Sequence, residues 1–302
     1  MGVSSEERGF LNMTLEDLRK EMTGRGLASY FNATVSMAKN AIGITLKRED
    51  RLPVGMSKFG GLPDLPSGTE WCRVAETGMP MSFVAQVNFG ETAPFDRDGK
   101  LPSRGILYFF YDCSPDGMPW GYAPEHRSGW KVFYYDGDPN RLSPAAPPAD
   151  LYLDDNGMVF GQAGMVFDAR PELPSPESDL ANHLNLPDAE ETQEACWEWL
   201  DDRMEDLSNK LLGHADPIQS AMELECEYVT HNINCGFPNG HRLGKEQGLH
   251  KNAARWNLLM QVDSNEDIGM MWGDAGRLYL WITDEDLAER KFENTWLMLQ
   301  CC

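Results

Sequence analysis

The sequence predicts an α+β fold that is mainly β, with two related antiparallel β-rich halves, an internal duplication, and flanking helices. The chain has 302 residues, of which 41% are hydrophobic and 10% aromatic, so it can bury a sizeable core. Short runs of aromatic and aliphatic residues are bounded by Gly, Pro and Asp, which is typical of antiparallel strands. Three short segments also recur in the same order in both halves.

We expect one compact globular unit with four consecutive parts. Residues 1–40 form an N-terminal helical segment and residues 41–136 the first β-rich half. Residues 137–189 form a Pro-rich connection, and residues 190–302 form the second β-rich half with an acidic helix.

Apolar spacing predicts three helices. Thr14 is a candidate N-cap, and Leu18 and Met22 lie on one face of the helix that follows. A second helix covers residues 27–38. A third, over residues 190–212, combines one apolar stripe with many carboxylates, so its acidic face is either solvated or a docking surface for a basic partner.

Alternating or continuous apolar runs predict the strands. They cover residues 42–48, 81–89, 105–112, 130–135, 158–168, 222–230, 256–263, 276–283 and 295–301.

Charge and cysteine content restrict the classes of partner and compartment. There are 26 Lys and Arg against 48 Asp and Glu, a net charge of −22 that disfavours binding to a phosphate backbone. No run approaches the roughly 18 apolar residues of a membrane span, and the first residues lack the pattern of a secretion signal. Seven scattered cysteines fit a reducing compartment. We therefore predict a cytoplasmic protein with no nucleic-acid or membrane partner.

The internal repeat is the most informative pattern. KFGGLPDLP (58–66) is echoed by KLLGHADPI (210–218), FVAQVN (83–88) by LLMQVD (258–263), and GILYFF (105–110) by GRLYLW (276–281). The offsets are 210 − 58 = 152, 261 − 86 = 175 and 276 − 105 = 171 residues, so they drift by loop-sized insertions. The order of the elements is kept, which predicts two related halves that pack together.

Each half carries a polar pair on the face of one predicted strand. Gln86 and Asn88 alternate in the first half, as do Gln261 and Asp263 in the second. A buried amide without a partner costs about 1–3 kcal/mol, so these groups need each other, loop backbone or a ligand. They line either a cavity or a packed seam.

Several segments resemble the YwqG-like family. They are SKFGGLPDLPSGTEW (57–71), MSFVAQVNFGE (81–91), GILYFFYD (105–112) and LLMQVDSNEDIGMMWGDAGRLYLWIT (258–283). The resemblance spans about residues 57–300 in the right order. It implies a mainly β architecture with flanking helices in a cytosolic protein of unknown function, with an association with bacterial toxin-immunity neighbourhoods.

The non-duplicated loop after the second polar pair is the main candidate binding site. Asp263, Asp267 and Asp274 converge there, and Trp272 offers an aromatic wall for a small cationic or polyhydroxylated ligand, or for a protein. The candidate ligand-binding residues are Gln86, Asn88, Gln261, Asp263, Asp267, Trp272 and Asp274.

Two metal patterns are incomplete. The loop from Asp263 to Asp274 has carboxylates or an amide at calcium-loop positions 1, 3, 5 and 12, but Ile268 replaces the glycine at position 6. A second group fits no usual zinc spacing. Its members are Cys226, His231, Cys235 and His241. We expect no metal and no cofactor.

The leading hypothesis is a non-enzymatic scaffold that binds a ligand or a protein. The alternative is a hydrolase or metal-assisted enzyme that uses Asp263, Asp267 and Asp274, with His214 as an acid or base. A third hypothesis is a toxin-immunity type inhibitor of a basic partner, which the net charge of −22 motivates.

Overall fold

The first described residues of the chain form helices. A computed structural model describes residues 13–49, 51–114, 117–151, 159–176, 178, 194–196, 198–199, 209–237 and 239–302. Helix α1 (Leu15–Gly24) begins with a capping box, in which the Thr14 side chain accepts from the Asp17 N–H and the Asp17 side chain accepts from the Thr14 N–H. Helix α2 (Ala28–Thr34) continues into a 3₁₀ turn, Val35–Met37. Both helices agree with the sequence prediction.

A small apolar cluster holds these helices in place. Leu18 and Met22 are buried on one face of α1, as their spacing predicts. They pack in the same cluster as Cys196 and Trp199, and the Trp199 indole donates to the Glu21 carboxylate at 2.7 Å. Residues 194–196 and 198–199 are helical, and most of the acidic helix predicted over residues 190–212 lies outside the described residues.

In the part of the chain that the structure describes, twelve strands form the rest of the frame, and ten of them make one antiparallel sheet. The strands are β1 (Lys39–Lys47), β2 (Lys58–Phe59), β3 (Asp64–Pro66), β4 (Ser82–Asn88), β5 (Ile106–Tyr111), β6 (Trp130–Tyr135), β7 (Leu142–Pro144), β8 (Ala163–Glu172), β9 (Lys210–Leu212), β10 (Trp256–Asp263), β11 (Arg277–Thr283) and β12 (Trp296–Gln300). The order in the sheet is β12-β11-β10-β9-β1-β8-β2-β4-β5-β6, and β3 pairs with β7 separately. The prediction of a mainly antiparallel β fold is confirmed.

Two long strands lie at the centre of the sheet. β1 and β8 pair over nine positions, from Lys39 opposite Glu172 to Lys47 opposite Gly164. β8 lies within the segment that the sequence assigned to a connection between halves. On either side of this pair, the sheet continues into four strands, which we call the first arm (β2-β4-β5-β6) and the second arm (β9-β10-β11-β12).

The sheet is nearly closed, because its two edge strands approach each other. The Trp130 and Trp296 rings meet edge to face, with centroids 5.1 Å apart. The Trp130 indole donates to the Thr295 carbonyl at 3.0 Å, and the Leu299 N–H donates to the Trp120 carbonyl at 3.0 Å. We call this junction of β6 and β12 the seam. One large apolar core spans both arms beneath it.

The predictions for two segments are wrong. Residues 222–230 are predicted as a strand but form helix α4 (Glu223–Thr230). Alternation of Glu with apolar residues is typical of a half-buried strand. In the helix, however, Glu227 is fully buried, and its ion pair with Arg255 compensates for the buried charge. The predicted acidic helix does not extend to residue 212, because Lys210–Leu212 is strand β9, packed between β1 and β10.

Three short helices complete the described fold: α3 (Phe89–Thr92), α5 (Gly240–Glu246) and α6 (Asp284–Ala288). Among the described residues, no helix combines the length and apolar character that a transmembrane span requires.

Candidate functional site

The first polar pair binds neighbouring backbone and a buried carboxylate. Gln86 on β4 is fully buried, and its amide accepts from the Asp64 N–H and donates to the Asp64 carboxylate and the Met56 carbonyl. Asn88 donates to the Gly55 carbonyl at 2.9 Å and accepts from the Gly90 N–H, which caps α3. These contacts satisfy the amides within the first arm.

The second polar pair is held in the same way. Gln261 on β10 is fully buried, accepts from the Asp216 N–H at 3.0 Å and donates to the Asp216 carboxylate at 3.0 Å. Asp263 accepts from the Ser264 N–H and forms an ion pair with Arg277, at 3.1 Å.

The other candidates in the predicted loop are dispersed. Asp267 is exposed and pairs with Arg48 at 2.6 Å. Trp272 is fully buried against Tyr111 and Phe160, so it packs inside the curled sheet. Asp274 is exposed, and its backbone carbonyl accepts from the Cys302 N–H. The structure thus does not gather the seven candidates at one surface, and their role as ligand-binding residues stays a prediction.

Each arm contains a buried lysine–aspartate pair. Lys58 donates to Asp64 at 2.9 Å in the first arm, and Lys210 lies 2.7 Å from Asp216 in the second. Lys210 also donates to both carboxylate oxygens of Glu172, at 3.1 and 3.0 Å. Burial alone would raise the pKa of Asp216, but ion pairing and hydrogen bonding with Lys210 outweigh it and lower that pKa.

His214 lies next to the second pair. It is buried, and its ring Nε2 lies 2.8 Å from the Met37 carbonyl, so this nitrogen carries the proton and donates. Burial, followed by the nearby charge of Lys39, lowers the pKa of His214 to about 3. The ring is therefore neutral and enclosed at physiological pH.

The four residues of the possible zinc group do not form a ligand set. The Cys226 thiol is buried in the core, where burial raises its pKa well above the usual value. His231 donates from Nδ1 to the Glu227 carbonyl. Within the described part of the chain, no three His, Cys, Asp or Glu side chains come together as a metal site.

A polar cleft of about 420 Å³ opens beside the seam. It lies between the C-terminal end of α4, a 3₁₀ helix (Pro124–Gly129) and the adjoining ends of β10 and β11. Its ionisable lining consists of Arg127, His231, Arg255 and Asp286. Its volume falls within the range of about 300–1,000 Å³ that small-molecule sites occupy.

A fully buried carboxylate organises one wall of this cleft. Glu227 accepts from Asn252 Nδ2 at 3.1 Å, Arg255 Nε at 3.0 Å and Trp256 Nε1 at 2.9 Å. Arg255 NH2 also lies 3.0 Å from the same carboxylate. These bonds fix the Arg255 guanidinium by its Nε edge, while the side chain is 37% exposed. Glu227 is a positioning residue beneath a partly exposed arginine.

His231 is fixed on the same wall. Its Nδ1 lies 2.7 Å from the Glu227 carbonyl, and a carbonyl can only accept, so Nδ1 carries the hydrogen. In the neutral ring, Nε2 then carries the lone pair. The side chain is 40% exposed and lines the cleft. This tautomer presents Nε2 to the solvent-accessible volume.

Hydrogen bonds also hold the other two ionisable side chains of the cleft, Arg127 and Asp286, in place. Arg127 donates to the Trp130 carbonyl and, across the seam, to the Glu293 carbonyl, and burial lowers the pKa of its guanidinium. Asp286 accepts from the Thr283 hydroxyl at 2.9 Å and from Asn294 Nδ2 at 2.7 Å.

Sequence reasoning missed this cleft. Arg127, His231, Arg255 and Asp286 are separated by more than 20 residues each, so no motif joins them. The one usable signal was Glu227, one of three Glu that alternate with other residues over 222–230, and that alternation favoured a strand over the helix that forms.

The fold and the cleft define a mainly antiparallel β protein with a preformed polar site beside the seam. The chain belongs to the family described as Domain of unknown function (DUF1963), whose profile matches residues 57–301. The match covers both arms and the whole cleft, and it is consistent with the resemblance to the YwqG-like family. A search of curated proteins found no match to the chain.

Proposed function

We propose that this protein is a non-enzymatic scaffold that binds a small ligand in the cleft beside the seam. The observation that carries the proposal is the Arg255 guanidinium, held at its Nε edge by the fully buried Glu227 while it lines the open cleft. Burying a carboxylate to orient one arginine is costly unless the pair is well bonded. Preorganisation of that kind lowers the cost of ligand binding.

The hydroxyl groups of the cleft favour binding over nucleophilic catalysis. The Thr230 hydroxyl donates to the Cys226 carbonyl at 2.7 Å, and the Thr283 hydroxyl donates to Asp286. The Thr230 hydroxyl donates to a carbonyl, which is not a general base, and the Thr283 hydroxyl is the N-cap of α6, where it accepts from the Asp286 N–H. In the described lining, both threonines instead serve helix ends.

We also propose that the two arms arose by internal duplication. Gln86 and Gln261 hold equivalent aspartates by the same two bonds, and Tyr108 and Tyr279 both donate to those aspartates' carbonyls. A left-handed residue lies where the first strand of each arm ends: Gly60 follows β2, and Leu212 is the last residue of β9. Gly60 has φ +57°, and Leu212, at the same offset of 212 − 60 = 152, has φ +58°.

The proposed compartment is the cytoplasm. All seven cysteines are free, which suits a reducing environment. The proposed partner is a small molecule rather than nucleic acid or membrane, in keeping with the net charge of −22.

Thermal melting with a ligand panel tests the proposal. The panel contains metals, a chelator, nucleotides, sugars, amines, amino acids and small carboxylates, each added to the wild-type protein and to Arg255→Lys. A ligand at 100 times its Kd adds about 2.7 kcal/mol, enough to raise the Tm by about two degrees or more. We expect at least one shift that Arg255→Lys reduces.

Two results would contradict the proposal. A flat panel would argue against a small ligand, and turnover of the bound compound would argue for the enzyme alternative. Inhibition of a basic partner stays a prediction from net charge, and it requires an association that weakens as salt rises.

A further inference from the structure

We propose that the cleft beside the seam binds a small carboxylate that also carries a hydrogen-bond donor, such as a 2-hydroxy acid or an α-amino acid. This inference rests on the proposed binding function and names its ligand class. It depends on Arg255, His231 and Asp286, which line one cleft.

Arg255 supplies the carboxylate-binding group. Glu227 occupies the Nε and NH2 edge of the guanidinium, and NH1 has no hydrogen-bond partner among the described residues. The N–H groups at the NH1 end therefore remain for a ligand. A planar guanidinium matches a carboxylate geometrically, and its fixed orientation reduces the entropy lost on binding.

His231 supplies a second polar contact on the same wall. Its Nδ1–H is committed to the Glu227 carbonyl, so Nε2 is the nitrogen that meets a ligand. Neutral, it accepts from a hydroxyl, and protonated, it donates to a carboxylate.

Asp286 supplies the acceptor for the hydrogen-bond donor of the ligand. Each carboxylate oxygen accepts one hydrogen bond, from Thr283 or from Asn294, and each keeps a lone pair for another donor. A ligand hydroxyl or ammonium satisfies that acceptor.

The charge of the cleft favours a carboxylate over a phosphate. The Arg127 and Arg255 cations are balanced by the Asp286 and Glu227 carboxylates. A dianion would thus add two negative charges to a balanced site. A ligand with one carboxylate adds one charge or, as a zwitterion, none.

Isothermal titration calorimetry tests this inference with four probes: lactate, alanine, acetate and inorganic phosphate. We expect lactate or alanine to bind at least tenfold tighter than acetate, which lacks the donor, and than phosphate, which lacks the carboxylate. The stronger of the two identifies the donor as a hydroxyl or an ammonium.

Variants assign the binding to the cleft. Arg255→Lys keeps a cation beside Glu227 but loses the planar fork, and we expect it to weaken binding at least tenfold. Asp286→Asn should reduce the preference over acetate. The matched control is Arg242→Lys, because Arg242 is an exposed helical arginine paired with Glu246 outside the cleft lining. It should leave the affinity unchanged. Thermal melting of each variant confirms that it is folded.

The outcomes separate this inference from the proposed function. Preferred binding of phosphate or acetate, lost in Arg255→Lys, would overturn the ligand class and leave the binding function standing. If no compound in this set or in the larger panel binds in a way that depends on Arg255, both are wrong.

Discussion

Gly43 lies in the middle of β1, where two charged side chains of β8 occupy the space beside it. A Cβ at this position would lie 2.5 Å from Asp168 Oδ2 and 2.7 Å from Arg170 NH1. Gly43→Ala should therefore lower the free energy of unfolding by about 1–3 kcal/mol, the usual cost of overpacking. Urea unfolding measures this loss. Gly24→Ala is the control, since a Cβ there meets nothing within 4 Å, and equal losses in both variants would refute the argument.

His214 makes stability depend on pH. Its folded pKa is lowered to about 3 by burial and by Lys39, whereas an unfolded histidine titrates near 6.5. The unfolded chain therefore binds a proton that the folded protein does not, and stability falls as pH drops from about 6.5 towards 3.

The prediction for His214→Gln is a shallower pH profile. Compared with the wild type, it should lose less stability between pH 6 and pH 4.5, by up to about 1.4 kcal/mol per pH unit. Urea unfolding at several pH values measures both profiles. Parallel profiles would show that folding does not shift the pKa of His214.

Helix α1 depends on its first turn. The Thr14 side chain accepts from the Asp17 N–H at 3.2 Å, and Asp17 accepts from Thr14 in return, which lowers the pKa of Asp17. Thr14→Ala removes the capping oxygen, and we expect a loss of about 1 kcal/mol in urea unfolding. Thr69→Ala in an exposed loop should change stability by less, and equal effects would rule out a capping role.

Elements whose sequence is an alternating or a continuous apolar run could be predicted from the sequence. The aromatic strands β5 and β6 and the later strands β10 and β11 match their predicted ranges within a residue. The failures involve buried charge. Glu227 made a helix resemble a strand, and Lys210, buried against Glu172 and Asp216, was assigned to an acidic helix. The pattern of apolar and polar residues along the chain predicts burial only where the polar side chains are exposed. Here Glu227 and Lys210 are buried, because ion pairs stabilise them in the core.

The candidate site was harder to predict than the strands. The polar residues that recur in both arms, Gln86 and Gln261, hold aspartates inside the arms. The cleft instead combines Arg127, His231 and Arg255, which only the closure of the sheet at the seam brings together. No spacing in a single sequence encodes that juxtaposition.

At the scale of the whole molecule, the two arms should unfold together. The central strands β1 and β8 join them over nine paired positions, and one apolar core spans both arms. Lys58→Met leaves Asp64 buried without its cation. Lys210→Met leaves Asp216 in that state and removes one of the two cations of Glu172, which keeps its ion pair with Arg170. Each change should cost about 3–5 kcal/mol.

Because the two arms share one core, a destabilising substitution in either arm should lower the Tm of the whole protein, which should still unfold in a single transition. Differential scanning calorimetry tests this by the ratio of calorimetric to van't Hoff enthalpy, which should stay near one in both variants. Lys20→Met, on the exposed face of α1, is the control and should leave the Tm unchanged. If Lys58→Met instead produced two separate transitions, the arms would be independent units, and the cleft at their seam would be an interface between them. A ligand would then have to order that interface as it binds, and its stabilising effect should appear in both transitions.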